Sequence, residues 1–267
     1  MVPVLVHMLW RRRVGMAWWS LGIASMAALL ALAYPPFKGN DELDRTFADL
    51  PDGLSSLLGL SGGNPLTSPI GFLNSQYFDN ILPVMLLVFS IGQAAWTIAG
   101  DEATGGLELL LANPVGRVRV ALARLGAVVV MLGILATAGA LPLILLAGPT
   151  GLDDGLSVRH LVGATLGAAL LTLVFASLAF AVGAATGSRT AAIATASTLA
   201  IAGYVLEGLA QQVDGLRSTR VVNPWHWMLS TDPLSRGLSY VTWVPPLVAA
   251  AVLVLVALPR LSRRDLG

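Results

Sequence analysis

Six stretches of this sequence are apolar over about the thickness of a bilayer: residues 14–34, 81–99, 125–148, 161–186, 191–210 and 241–258. No other feature constrains the fold as strongly. A hydrocarbon core of ~30 Å needs about 20 helical residues to cross it. Each Arg or Asp at the centre of such a helix would cost roughly 2.5–3.5 kcal/mol. Tyr apart, the only ionisable side chain within the six stretches is Glu207. The segments between them are polar, as they must be where backbone groups cannot stay unpaired in lipid. The pattern predicts an all-α integral membrane protein with six transmembrane helices, forming one domain over 1–267. Overall charge agrees, since 12% of residues are charged against about a quarter in soluble domains. The absence of cysteine excludes disulfides, thiol catalysis and cysteine metal sites.

Six spans place both termini on one side. That side carries ten of the sixteen Lys and Arg residues, among them Arg11, Arg12, Arg13, Arg117, Arg119 and Arg124. The other six are spread over longer loops. The positive-inside rule therefore predicts cytoplasmic termini. Trp10, Trp18, Trp19, Trp96, Trp225, Trp227 and Trp243 lie in or near the predicted boundaries, where amphipathic rings are favoured. The first apolar run exceeds the 7–15 residues of a signal-peptide core, so it is expected to be a retained span. Residues 1–13 are expected to form a short amphipathic segment on the inner surface.

Other chemistries find little support. His7, His160 and His226 are far apart in sequence, and none lies in a predicted span to serve a metal triad or an intramembrane serine protease. Asp153-Asp154 stands alone and reads as a solvated loop rather than a Mg²⁺-diphosphate site. Gly163-x-x-x-Gly167 and Gly183-x-x-x-Gly187 permit close helix approach, within one bundle or between subunits. Residues 211–240 are too polar to span and are expected to form short helices at the outer leaflet, anchored by Trp225 and Trp227. Glu207 is a functional candidate because it is ionisable within a span. It either pairs with Arg217 or Arg220, or serves a substrate pathway or gate. Gln93 is a second pathway candidate, or else a helix–helix hydrogen bond.

The segment between the second and third runs reads GDEATGGLELLLANPVGRVRV. Its apolar residues recur at helical spacing, which fits a short amphipathic helix at the membrane edge. Asp101, Glu102 and Glu108 sit early, where a helix dipole favours anions. Gly105-Gly106 permits a sharp bend. Pro114 ends the helix, and Arg117 begins the return to the headgroups. Such a helix could receive a push from a cytoplasmic partner, or be a plain connector.

The segment resembles the signature of the exporter-type permease subunits of ATP-binding-cassette transporters, the type-2 permeases. The matching residues are Asp101-Glu102, Gly105-Gly106, Leu107-Glu108-Leu109-Leu110-Leu111, Pro114-Val115 and Arg117. Many members have Thr at the position of Gly106 and Ser at that of Gly116. A second likeness, from Leu50 to Leu73, is to a drug- and antibiotic-export branch, although members there often carry an acid at the position of Ile70. With six spans and a polar loop between the last two, the resemblance covers nearly the whole chain.

The resemblance implies a permease that is not itself an enzyme and moves a hydrophobic small molecule, such as an antibiotic, drug or lipid, across a bacterial inner membrane. Its coupling helix would fall at about residues 107–113. Asp101, Glu102, Gly105, Leu107, Glu108, Leu110, Leu111, Pro114 and Arg117 would meet a separate ATP-binding subunit, present in two copies. A second permease chain, identical or not, and membrane lipid are the other implied partners; nucleic acid is not. ATP and Mg would belong to the partner, with no cofactor bound here. The sequence agrees, because a phosphate-binding loop needs G-x-x-x-x-G-K-[ST] and the sole lysine, Lys38, follows Phe37 in an outer loop. The competing readings are a sensory or assembly component driven by the same kind of ATPase, and an integral membrane enzyme.

Overall fold

The computed structural model describes the backbone of residues 2–40, 65–102 and 117–263, and side chains within those stretches for residues 4–40, 65–97 and 118–260. Every described element is helical. The long helices are α1 (Val2–Ala33), α3 (Ile81–Glu102), α4 (Arg117–Thr150), α5 (Val158–Thr186), α6 (Arg189–Ala210) and α9 (Tyr240–Arg263). Before α3 come α2 (Pro69–Leu73) and a π-turn at Asn74–Phe78. Between α6 and α9 lie a 3₁₀ helix (Asp214–Val222), α7 (Pro224–Leu229) and α8 (Pro233–Arg236). Among the described residues six stretches are long and apolar enough to cross a bilayer: Val4–Ala33, Pro69–Thr97, Val118–Thr150, Val158–Thr186, Arg189–Ala210 and Tyr240–Arg260.

Two of these begin earlier than the apolar runs suggest. Helix α1 is unbroken from Val2, so residues 2–13 are continuous with the first long helix rather than a separate helical segment. The reason is packing: Leu5, Met8 and Leu9 lie against the buried core. The second stretch starts at Pro69. Ser68 Oγ accepts from Gly71 N at 3.1 Å, and Pro69 follows at the first helical position, where its missing N–H is no loss. The polar residues from Asn74 to Asn80 interrupt the apolar run without interrupting the helical path, because side chains elsewhere receive them.

Helix α5 is the centre of the bundle, packed by α9, α3, α6 and α4, while α1 lies along α4. Small residues make this closeness possible. A Cβ at Gly163 would stand 3.3 Å from Leu238 Cγ, and one at Gly167 would stand 3.1 Å from Thr242 Cγ2. Gly183 faces Ala192 across the α5–α6 turn. All three glycines therefore serve contacts within the bundle. The turn itself is short: Gly187 closes α5 in the left-handed conformation at φ 66°. Ser188 then opens α6 by accepting from Ala191 N at 3.2 Å. This is the glycine-stop, serine-start grammar of helix ends.

At Gly139 in α4 the bundle is closely packed. Tyr77 Oη donates to the Gly139 carbonyl at 3.1 Å. A Cβ there would come within 2.6 Å of Tyr77 Oη and 2.9 Å of Ile23 Cγ2. Gly139→Ala is expected to destabilise the protein by roughly 1–3 kcal/mol in reversible detergent unfolding. Gly148→Ala, on the same helix but with open space around it, is expected to change stability by less than about 0.5 kcal/mol.

Candidate functional site

The loop-rich end of the bundle holds several cross-links among the described residues. Tyr34 is fully buried, and its hydroxyl donates to Thr67 O at 2.8 Å. Burial first, and the nearby Asp154 carboxylate second, raise the Tyr34 pKa above its ordinary 10.0. The group therefore remains a neutral donor. Lys38 forms an ion pair with Asp154, tying the loop after α1 to the loop after α4. Asp154 is thus a paired loop residue. Among the described residues no His, Asp and Glu cluster could hold a metal ion.

A second network joins the π-turn to α6 and α8. Asn74 Nδ2 donates to Asp232 Oδ1 at 2.8 Å, the Tyr204 hydroxyl bonds Asn80 Oδ1, and Ser235 Oγ bonds Asp232 Oδ2. The apolar runs gave no hint of this network. Asn74 and Asn80 stand just before the run that begins at 81, and their partners come from distant parts of the chain.

Glu207 lies on α6 and is only 3% exposed. Its Oε1 sits 2.9 Å from His226 Nδ1 on α7 and 3.5 Å from Arg220 Nε on the 3₁₀ helix. Its Oε2 is buried without a hydrogen-bond partner. Arg217 instead pairs with Asp214 at 2.9 Å. Sequence spacing suggests either arginine but does not suggest His226. That histidine arrives because Asn223 starts α7, accepting from Trp225 N at 3.2 Å while its Nδ2 donates to Gly203 O at 2.8 Å.

The expectation that Trp225 is a membrane anchor fails. Trp225 is 2% exposed, donates Nε1 to Ala200 O at 2.9 Å, and meets Tyr204 edge-on with ring centroids 4.9 Å apart. It fastens the folded-back loop to α6. Trp227 Nε1 donates to Val221 O at 2.9 Å.

Gln93 lies on α3, and its Oε1 is buried with no hydrogen-bond partner. The interhelical bond expected of this oxygen is therefore not formed. Nearby hydroxyls are turned to their own helices: Thr97 Oγ1 donates to Ala94 O at 2.6 Å. On α5, Thr172 Oγ1 donates to Ala169 O at 2.9 Å. Such bonds hide the polarity of the helices from one another. Among these polar groups of the interior, the Gln93 oxygen is left with free acceptor capacity.

At the opposite end, α3 closes with Asp101 and Glu102, and α4 opens with Arg117. The candidate coupling residues Gly105, Leu107, Glu108, Leu110, Leu111 and Pro114 lie outside the described residues, as do the side chains of Asp101, Glu102 and Arg117. The flanks are described. The Arg12 guanidinium lies over the Trp96 ring at 4.3 Å, and Arg124 Nη1 donates to Thr97 O at 2.8 Å.

The Glu207 pairing makes a quantitative prediction. Glu207→Leu leaves Arg220, with a side chain 25% exposed, facing no carboxylate. It is expected to destabilise the protein by about 2–4 kcal/mol in reversible unfolding. Glu207→Gln, which can still accept from His226, should cost about half as much. A Glu207→Leu protein as stable as the wild type would show that the pairing adds nothing.

No curated protein matches the chain. The sequence model of the family described as ABC-2 family transporter protein matches residues 12–266, nearly the whole length, and the six membrane-crossing helices are of the kind such a subunit requires. The chain belongs to the ABC-2 transporter family and is the membrane-spanning permease component of an ATP-binding-cassette transporter, associating with a separate ATP-binding subunit.

Proposed function

We propose that this permease exports a hydrophobic small molecule, an antibiotic, drug or lipid, across a bacterial inner membrane. Two ATP-binding subunits would drive it, and two permease chains would enclose the path, since six helices seldom enclose one alone. The carrying observation is the order of the chain. In an ABC-2 chain matched over 12–266, the Leu107–Leu111 run falls between the second and third membrane-crossing helices. A helix placed there can transmit force to both. Asp101, Glu102, Gly105, Leu107, Glu108, Leu110, Leu111, Pro114 and Arg117 form the coupling contact, with Leu107, Leu110 and Leu111 filling an apolar groove on the ATPase. Closure of two ATPases around ATP and Mg would press on two such contacts and tilt the spans between two states.

Cytoplasmic termini follow from the excess of Arg on the connector side. The cargo class is supported by the interior, where the hydroxyls of Thr97, Thr165 and Thr172 are bonded within their own helices. Gln93 offers passing cargo an acceptor, and Glu207 stands at the outer exit, held by Arg220 and His226.

Co-expression with the ATP-binding protein encoded beside this chain tests the reading. The wild type is expected to co-purify with that protein and to support ATP hydrolysis, and Leu107→Asp with Leu111→Asp is expected to lower both at least tenfold. A wild type that binds no ATPase would leave residues 107–113 a plain connector. An ATPase-coupled complex that moves no small molecule into vesicles would instead favour the sensory or assembly role.

A further inference from the structure

We propose that Arg124 is a positioning residue that locks the end of α3 to the start of α4, so that force received between residues 101 and 117 reaches the spans instead of dissipating at the membrane edge. The inference rests on the coupling reading above.

Arg124 lies on α4 and is only 9% exposed. Its Nη1 donates to Thr97 O on α3 at 2.8 Å, and Thr97 is itself 1% exposed. The contact therefore bridges the two helices between which the connector leaves and returns. Thr97 lies inside a helix that continues to Glu102, so an amide four residues on takes one lone pair of its carbonyl. The guanidinium takes the other, without breaking the helix. Helix α3 is also gripped from a second direction, since Arg12 on α1 stacks over Trp96 at 4.3 Å. Consecutive residues of α3 are thus held by α4 and α1 just where the apolar span gives way to the connector.

The choice of residue argues against a purely structural role. A buried cation is a poor means of gaining stability, and well-packed apolar side chains commonly do better. What its fork supplies is direction: a planar group that fixes one carbonyl relative to α4. A push on the connector then cannot slide α3 along α4 without breaking a buried charged hydrogen bond. The two helices move together.

The chain lacks cysteine, so one introduced cysteine, labelled before a cysteine-free ATP-binding subunit is added, reports alone. Val88 on α3 is 59% exposed and can carry a bimane fluorophore as Val88→Cys. The permease would be co-purified with its ATP-binding subunit in nanodiscs. Hydrolysis and the fluorescence change on adding Mg and ATP would be read together. In Arg124→Gln, hydrolysis is expected within about twofold of wild type, while the fluorescence change falls at least fivefold. Arg124→Lys, which keeps the charge and one donor but not the fork, is expected to restore part of the change. A full-sized change in Arg124→Gln overturns the proposal. So does parallel loss of ATPase binding, hydrolysis and fluorescence change, which marks a residue needed only for folding. If Arg124→Gln does not fold, Arg124→Lys decides: a change reduced at least threefold with hydrolysis kept supports the role, and an undiminished one overturns it. A wild type that recruits no ATPase removes the coupling reading and this inference together, and the wild-type arm alone reveals that case.

Discussion

In hydrocarbon a peptide group has no water to turn to, so every N–H and C=O must find its partner within the chain. The rest of this structure depends on that. It makes each crossing a helix, and it also governs the side chains. The hydroxyls of Thr97, Thr165 and Thr172 bond to carbonyls of their own helices. The helices then meet through apolar surface and through small residues such as Gly139, Gly163 and Gly167. Lipid tails are as apolar as the helices, so burial alone gives little reason to associate. Close packing around α5 has to supply it.

The two ends of the bundle solve different problems. At the loop-rich end, Lys38 with Asp154, Asn74 with Asp232, and Glu207 with His226 and Arg220 each join segments that are remote in sequence. These bonds weld the loops to one another and to α6. At the connector end, two arginines act on one turn of α3.

Much of this was legible in the sequence. The lack of charge in six runs identifies the crossing helices, because a charge in lipid is penalised wherever the neighbours lie. Helix starts were harder to read. Helix α1 begins at Val2 because Leu5, Met8 and Leu9 find the core, and the helix entering α3 begins at Pro69 because distant residues receive Asn74 and Asn80. Those are tertiary facts and leave no local periodicity. The same holds for the candidate site. Glu207 stood out as a lone charge, but His226 joins it only once Asn223 and Trp225 have folded the loop back onto α6. Trp225 reads as an interfacial ring by position and proves to be a buried fastener. The Leu107–Leu111 signature was visible as a pattern of residues and lies outside the described structure.

The turn at Gly187 and Ser188 has a consequence for how the chain is made. With a left-handed glycine at the end of α5 and a capping serine at the start of α6, the turn has no slack. Two helices so joined cannot enter a bilayer separately, since the second is antiparallel to the first from its opening residue. During synthesis α5 and α6 would partition as a single hairpin. The central helix of the finished bundle would then arrive with its first neighbour already attached, and the later arrival of α9 would close the opposite flank.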